Sequence, residues 1–288
     1  MSNYNDFFYQ SKDGLRLYAR DYPCQDKYIV LPKIIFCMHG LTRNSSDFGK
    51  LAEHLSQHYR VICVDNRGRG KSAYDSNPAN YISLTYAEDM FILLDQLDIQ
   101  KVILCGTSMG GIMAFIMAAM QPNRISGIII NDVGPELEPK GIQRIASYVG
   151  KTTQVNSWTD AVAITKAINQ SAFPNFTDEE WEDFARNIFK DDNGKLSLDY
   201  DPDIAIPFKD MDTRSATSDL WPQFEAIVSI PMLLIRGANS DLISTACVEK
   251  MFKRKPDLKF VEVPETGHAP TLNEPLSRVA INSFLNEL

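Results

Sequence analysis

The segment Gly106-Thr107-Ser108-Met109-Gly110-Gly111 sets a hydroxyl among glycines, between an apolar run at 102–105 and a small-residue stretch that continues to Met120. A sharp strand-to-helix turn there would force Ser108 into strained backbone geometry, and glycines two before and two after remove side chains that would collide. The hydroxyl would stand clear at the carboxyl edge of a sheet, with a helix amino terminus beneath it to favour negative charge. A serine hydroxyl is inert at neutral pH unless a base takes its proton and a carboxylate orients that base. Of the four histidines, His268 in Pro264-Glu265-Thr266-Gly267-His268-Ala269-Pro270 follows the last strand-like run, where a loop can carry it toward Ser108. Asp241 follows the penultimate run and precedes His268 by 27 residues, enough for one helix and one strand, so it is the expected acid. Asp132, just past 125–131, is the rival in a similar position and is expected mainly to organise the segment after it. His39-Gly40-Leu41 ends another strand-like run, where glycine lets a backbone N–H turn toward the same edge.

Two other patterns invite nucleotide readings. Gly70-Lys71-Ser72 resembles the end of a phosphate-binding loop, but its first glycine would fall on Asp65. Gly68-Arg69-Gly70-Lys71-Ser72-Ala73 fits a dinucleotide fingerprint, yet Tyr74-Asp75-Ser76-Asn77-Pro78 cannot open a helix over a pyrophosphate. The loop is therefore expected to be structural, with Arg67 and Arg69 solvated or ion-paired. His54 and His58 stand four apart on a helix-like stretch without an obvious third ligand, and no CxxC pair exists, so no metal is expected.

The elements that must carry these residues alternate between β-rich runs and amphipathic stretches, the pattern of a mostly parallel sheet with helices on both faces. Strands are expected at 34–38, 61–65, 102–106, 125–131, 232–236 and 260–263. Runs at 7–10 and 15–21 flank Lys12-Asp13-Gly14 and read as an antiparallel hairpin on the sheet edge. Helices are expected at 47–57, 84–97, 109–120, 245–252 and 275–286. Between 134 and 224 helix-like stretches, at 159–170 and 178–189, occur without an intervening buried strand. The chain thus divides into a core of 1–133 and 225–288 and a helical insertion of 134–224. The insertion holds Trp158, Trp181 and Trp221 with Phe173, Phe176, Phe184, Phe189 and Phe208. Each either lines an apolar pocket or glues the insertion to the sheet, with glue the favoured reading.

The 288 residues carry 29 Lys and Arg against 37 Asp and Glu, a formal charge of −8. That balance disfavours a dedicated nucleic-acid binder, which wants clustered Lys and Arg. The insertion contributes 16 acidic against 9 basic residues, so it holds most of the excess. If that field reached the pocket it would favour neutral over anionic substrates. Residues 1–10 lack a basic, apolar leader pattern, no run is long enough to span a membrane, and Cys37, Cys63 and Cys105 sit in strand-like runs. A soluble, cytoplasmic protein is the expectation.

These motifs resemble serine hydrolases of the α/β-hydrolase fold, closest to bacterial carboxylesterases with a helical cap. The resemblance spans nearly the whole chain, through His39-Gly40-Leu41, Asp65 to Ser72, the Ser108 turn, Arg236-Gly237 to Asp241 and Gly267-His268. It implies a mostly parallel central sheet, a cap or lid at 134–224, and an oxyanion hole from the N–H groups of Leu41 and Met109. It implies no cofactor. The expected activity is hydrolysis of neutral carboxylic esters of modest acyl size, with Ser108, Asp241 and His268 as the catalytic set and a small-molecule ester as the partner. Nucleic acid and membrane are not expected partners, and a homo-oligomer is left open. The alternatives are carbon–carbon bond hydrolysis of ring-cleavage products, and lipase, lactonase, thioesterase or perhydrolase activity with the same triad. A hydrolase fold kept only as a binding module is disfavoured by the intact residue set.

Overall fold

The computed structural model describes residues 3–151, 155–209 and 219–288, and the side chains of Phe208 and Lys209 lie outside that description. β1 (Asn5–Gln10) and β2 (Arg16–Tyr22) pair antiparallel around a turn at Gly14, whose φ of +81° suits glycine. β3 (Ile34–Met38), β4 (Arg60–Asp65), β5 (Val102–Thr107) and β6 (Ile125–Asn131) are short apolar runs buried on both faces, as parallel strands must be. The last two strands, β9 (Met232–Gly237) and β10 (Lys259–Val263), complete an eight-stranded sheet ordered β1-β2-β4-β3-β5-β6-β9-β10. Order reverses between β3 and β5, so the loops leaving their carboxyl ends diverge and open a crevice there.

Helices cover both faces. α1 (Gly49–Leu55) and α10 (Pro275–Glu287) bury Leu51, Leu55, Ile281 and Phe284 against one face. On the other, α2 (Ser83–Gln96) and α3 (Met109–Met120) bury Met90, Leu94, Met113 and Phe115.

The chain between β6 and β9 departs from the all-helical expectation. It holds α4 (Pro139–Tyr148), α5 (Trp158–Asn169), α6 (Asp178–Arg186), α7 (Ile206–Lys209) and α8 (Trp221–Ala226). Among them lies a hairpin of β7 (Phe189–Asp192) and β8 (Lys195–Leu198), turned by Asn193 and Gly194, both at positive φ. That Asn-Gly pair is a strong hairpin signal, masked in the sequence by a mostly polar, exposed strand. Helix α9 (Thr245–Arg254) follows β9 and, with α8, joins the second face.

The loop after β4 is structural, as expected, and closed to phosphate. Its amides are taken by the chain itself: Lys71 N donates to the Asp65 carboxylate, which also accepts from Ser45 N after β3, while Gly68 N and Ser72 N donate to Ala73 O and Arg69 O. A methyl on Gly70 would lie 2.1 Å from Asp65 Oδ2. Arg67 is buried in ion pairs with Asp13, Asp75 and Asp89, whereas Arg69 is buried without a carboxylate partner among the described residues. The same loop grips the insertion: Gly70 N donates to Asp199 O, Asp201 N to Gly68 O, and the Tyr81 hydroxyl to Asp201. His54 meets Asn282 and His58 meets Asp26, separately and in the open.

Candidate active site

Ser108 follows β5 at φ 54°, ψ −115° and caps the start of α3, with its N–H donating to Asn131 O of the neighbouring strand. The flanking glycines are steric necessities. A methyl on Gly106 would meet Gly110 O at 2.2 Å, and one on Gly110 would meet Met38 O at 2.0 Å. A side chain at Gly110 would push the turn off β3 and one at Gly106 would push the end of β5 off the start of α3, and the strained serine persists because its surroundings over-determine it.

His268 reaches this hydroxyl from the loop after β10, with Nε2 2.9 Å from Ser108 Oγ. That loop is held from below and above: a methyl on Gly237 would strike Gly267 O, and Gly267 N donates to Ala172 O of the insertion. On the far side of the ring, His268 Nδ1 lies 2.8 Å from Asp132 Oδ2. Asp132 has 0% exposure and sits at φ 57° just past β6. Gly237 N donates to its Oδ1 and Ser240 Oγ to its Oδ2. With the carboxylate accepting, Nδ1 carries the proton and the Nε2 lone pair faces Ser108, the arrangement in which an imidazole can take a hydroxyl proton.

The expectation that Asp241 orients His268 is corrected here. Its carboxylate is bidentate on Arg144 of α4, Oδ2 to Nε at 2.6 Å and Oδ1 to Nη2 at 2.8 Å. Gly141, one turn earlier on α4, packs so close that an added methyl would meet Asp241 O at 2.6 Å, which is what brings Arg144 within reach. Burial pushes the Asp241 carboxyl up, but the hydrogen bonds and charge of Arg144 outweigh it and hold the pKa below the usual value. After β9, the residue turned toward the His268 side is Ser240, whose hydroxyl serves Asp132 while Asp241 faces the insertion.

Beside Ser108, the loop after β3 brings Gly40 so close that its missing methyl would stand 3.8 Å from Ser108 Cβ. Among the described residues, neither the Leu41 N–H nor the Met109 N–H has a protein acceptor. His39 explains how the loop is held. Its Nε2 accepts from Asn66 N, so Nδ1 carries the proton and donates to Gly40 O at 2.7 Å. Burial lowers the His39 pKa from 6.5 to about 3, so the ring stays neutral.

The α/β-hydrolase fold family profile matches residues 33–275. A 3-hydroxybutyrate-oligomer hydrolase of Cupriavidus necator is 36% identical over 257 residues, 87% of each chain. The chain belongs to the α/β-hydrolase family. A crystal structure of an α/β hydrolase from Novosphingobium aromaticivorans superposes with a TM-score of 0.92 at 37% identity, covering 100% of both chains. A 2-(acetamidomethylene)succinate hydrolase of Mesorhizobium japonicum is 28% identical over 255 residues, 88% of this chain and 87% of its own.

In this α/β hydrolase a cavity of about 830 Å³ opens over Ser108 and His268, between the sheet edge and the 134–224 segment. The aromatic residues of that segment divide by role. Phe173, Phe176, Phe184 and Phe189 line the cavity, whereas Trp181 is 1% exposed and packs against three of those phenylalanines. Trp221 stacks at right angles on Phe224 and donates to Glu136, so it is glue.

Among the described residues, the net acidity of the segment does not carry over to the cavity wall. The segment lends the lining Arg144, Lys151 and Arg186 against Glu180 and Asp183. The core adds Arg43 and Lys50 against Asp47 and Glu53. The expected electrostatic preference for neutral substrates therefore loses its cause. Arg144 and Tyr148 line the same wall from α4, a helix outside those expected from the sequence. Burial raises the Tyr148 pKa, against the pull of the Arg144 and Arg43 charges near its hydroxyl.

Proposed function

We propose that this chain is a serine ester hydrolase working through an acyl-enzyme, with Ser108 as nucleophile, His268 as base and Asp132 as the acid that orients it. The observation that carries this is the unbroken relay from Ser108 Oγ to His268 Nε2 at 2.9 Å and from His268 Nδ1 to Asp132 Oδ2 at 2.8 Å. Ser108 attacks the ester carbonyl as His268 takes its proton. The carbonyl oxygen, now negative, receives the Leu41 and Met109 N–H groups, and such donors are worth about 3 to 4 kcal/mol each in related chemistry. His268 then protonates the leaving alkoxide, and the alcohol departs. Water, deprotonated by His268, attacks the acyl-enzyme and releases the carboxylic acid and free Ser108. Asp132 stabilises the imidazolium through both halves.

The substrate class we assign is esters of modest acyl size, entering beneath a cap formed by 134–224. The phenylalanine-lined wall suits a short hydrocarbon chain. A carboxylate elsewhere on the substrate is acceptable, because Arg43 uses Nε and Nη2 on Asp47 and retains Nη1, while Arg144, held by Asp241 and Tyr148, adds a second cation to the same wall. This favours hydroxyacid esters with a free acid end, the chemistry named for the Cupriavidus relative. A panel of p-nitrophenyl esters and 3-hydroxybutyrate dimers, assayed with wild type and Ser108→Ala, tests the reading. Turnover and fluorophosphonate labelling should both vanish in Ser108→Ala; equal turnover by the two proteins would sink it.

A further inference from the structure

Arg69 is a buried cation of an unusual kind. Its neighbour Arg67 is surrounded by three aspartates, while Arg69, 0% exposed, meets only uncharged groups among the described residues. Nε donates to Leu41 O at 2.9 Å, and Nη1 donates to Arg67 O and to the Tyr86 hydroxyl, both at 2.8 Å. Nη2 lies 3.9 Å from Met109 Sδ, and the guanidinium carbon stands 4.9 Å from the Tyr86 ring centre. Burying a charge without a counter-ion is costly, so carbonyls and ring faces offset it only in part.

Two of the residues it grips are the two whose N–H groups lack an acceptor beside Ser108. Leu41 is pinned from both sides. His39 Nδ1–H holds Gly40 O, which belongs to the same peptide as the Leu41 N–H, and Arg69 holds Leu41 O on the next peptide. With both peptide planes fixed, the direction of the Leu41 N–H is fixed too. Arg69 itself has little freedom, since it lies between Gly68 at φ +76° and Gly70 at φ +54° and bridges to Tyr200.

We propose that Arg69 is the positioning residue of the oxyanion hole. Its fork holds the Leu41 carbonyl and the Met109 side chain so that the two N–H groups converge, and its charge gains a partner only when negative charge develops on the substrate oxygen. The inference rests on the serine-hydrolase reading above. It assigns a task to a loop residue outside the substrate's reach, and it accounts for the lack of an aspartate partner among the described residues: a counter-ion would cancel the field before the reaction needs it.

Arg69→Gln and Arg69→Lys test it in the intact protein. For Arg69→Gln, kcat on p-nitrophenyl butyrate should fall about 10- to 100-fold with KM within about threefold, the size expected of a mispositioned site. The affinity of a trifluoromethyl ketone, which forms a tetrahedral oxyanion adduct on serine, should fall by the same factor as kcat/KM. The matching methyl ketone should bind as before. Arg69→Lys should show the same pattern at smaller amplitude, because one ammonium cannot span three acceptors, and it decides the matter if the glutamine variant fails to fold. Wild-type kcat in a folded variant, a loss confined to KM, or trifluoromethyl ketone affinity unchanged while kcat falls would each overturn it. Ser108→Ala separates the two ideas: if it abolishes turnover while Arg69→Gln leaves kcat intact, only the Arg69 inference fails.

Discussion

Asp132 Oδ2 and His268 Nδ1, 136 residues apart in sequence, meet at 2.8 Å. Gly237 N and Ser240 Oγ complete the carboxylate's shell, so it is buried with every oxygen engaged and cannot swing away from the ring. The relationship makes two aspartates experimentally separable. Asp132→Asn should lower kcat/KM about 10³- to 10⁴-fold, by presenting an amide that favours the wrong imidazole tautomer. Asp241→Asn should keep activity within about tenfold, since it frees Arg144 without touching the ring. Steady-state kinetics on one ester distinguishes them, and a reversed order of losses would return the acid's role to Asp241.

The serine turn should be intolerant of a single methyl. Gly110→Ala must displace Met38 O from a 2.0 Å overlap, and backbone cannot yield cheaply. We expect a loss of about 2 to 3 kcal/mol or failure to accumulate as folded protein, read as a Tm drop of about 2–4 °C per kcal/mol. Wild-type Tm with wild-type activity would contradict the steric account.

Acid should weaken the fold through His39. Its folded pKa of about 3 lies below the 6.5 of the free side chain, so the unfolded chain takes up a proton first as pH falls. Stability from this group is complete above about pH 6.5 and is lost progressively down to about pH 3, on the order of several kcal/mol in all. Thermal melts at pH 7, 6, 5 and 4 should show His39→Gln with a lower Tm at pH 7 and a shallower decline than wild type. Parallel declines would remove His39 from the cause.

Arg144 should discriminate between charged and neutral acyl groups. For Arg144→Gln, kcat/KM on p-nitrophenyl hydrogen glutarate should fall about tenfold more than on p-nitrophenyl valerate, the worth of one charge-assisted hydrogen bond in a partly wet site. Equal losses on the two esters would mean that Arg144 serves only Asp241.

Much of this was legible in the linear chain because local rules govern it. Parallel strands buried on both faces must be short apolar runs, and β3 through β6 lie where such runs stand. A serine flanked by glycines between strand and helix has few other uses, and Ser108 and His268 do meet. What the tertiary structure decided is which partner faces which. Asp132 and Asp241 both follow sheet strands, and sequence spacing weighs them only by topology. The choice turns on the φ of 57° that swings Asp132 under the imidazole, and on Gly141, which lets α4 bring Arg144 to Asp241. The acidity of 134–224 is likewise a sum over residues, whereas the charge at a cavity wall depends on which side chains turn inward, and among the described residues cations turn in at least as often as anions. Arg69 follows the same logic: two arginines of one loop, two positions apart and alike as letters, end in opposite surroundings because a residue's partners come from strands and helices far along the chain.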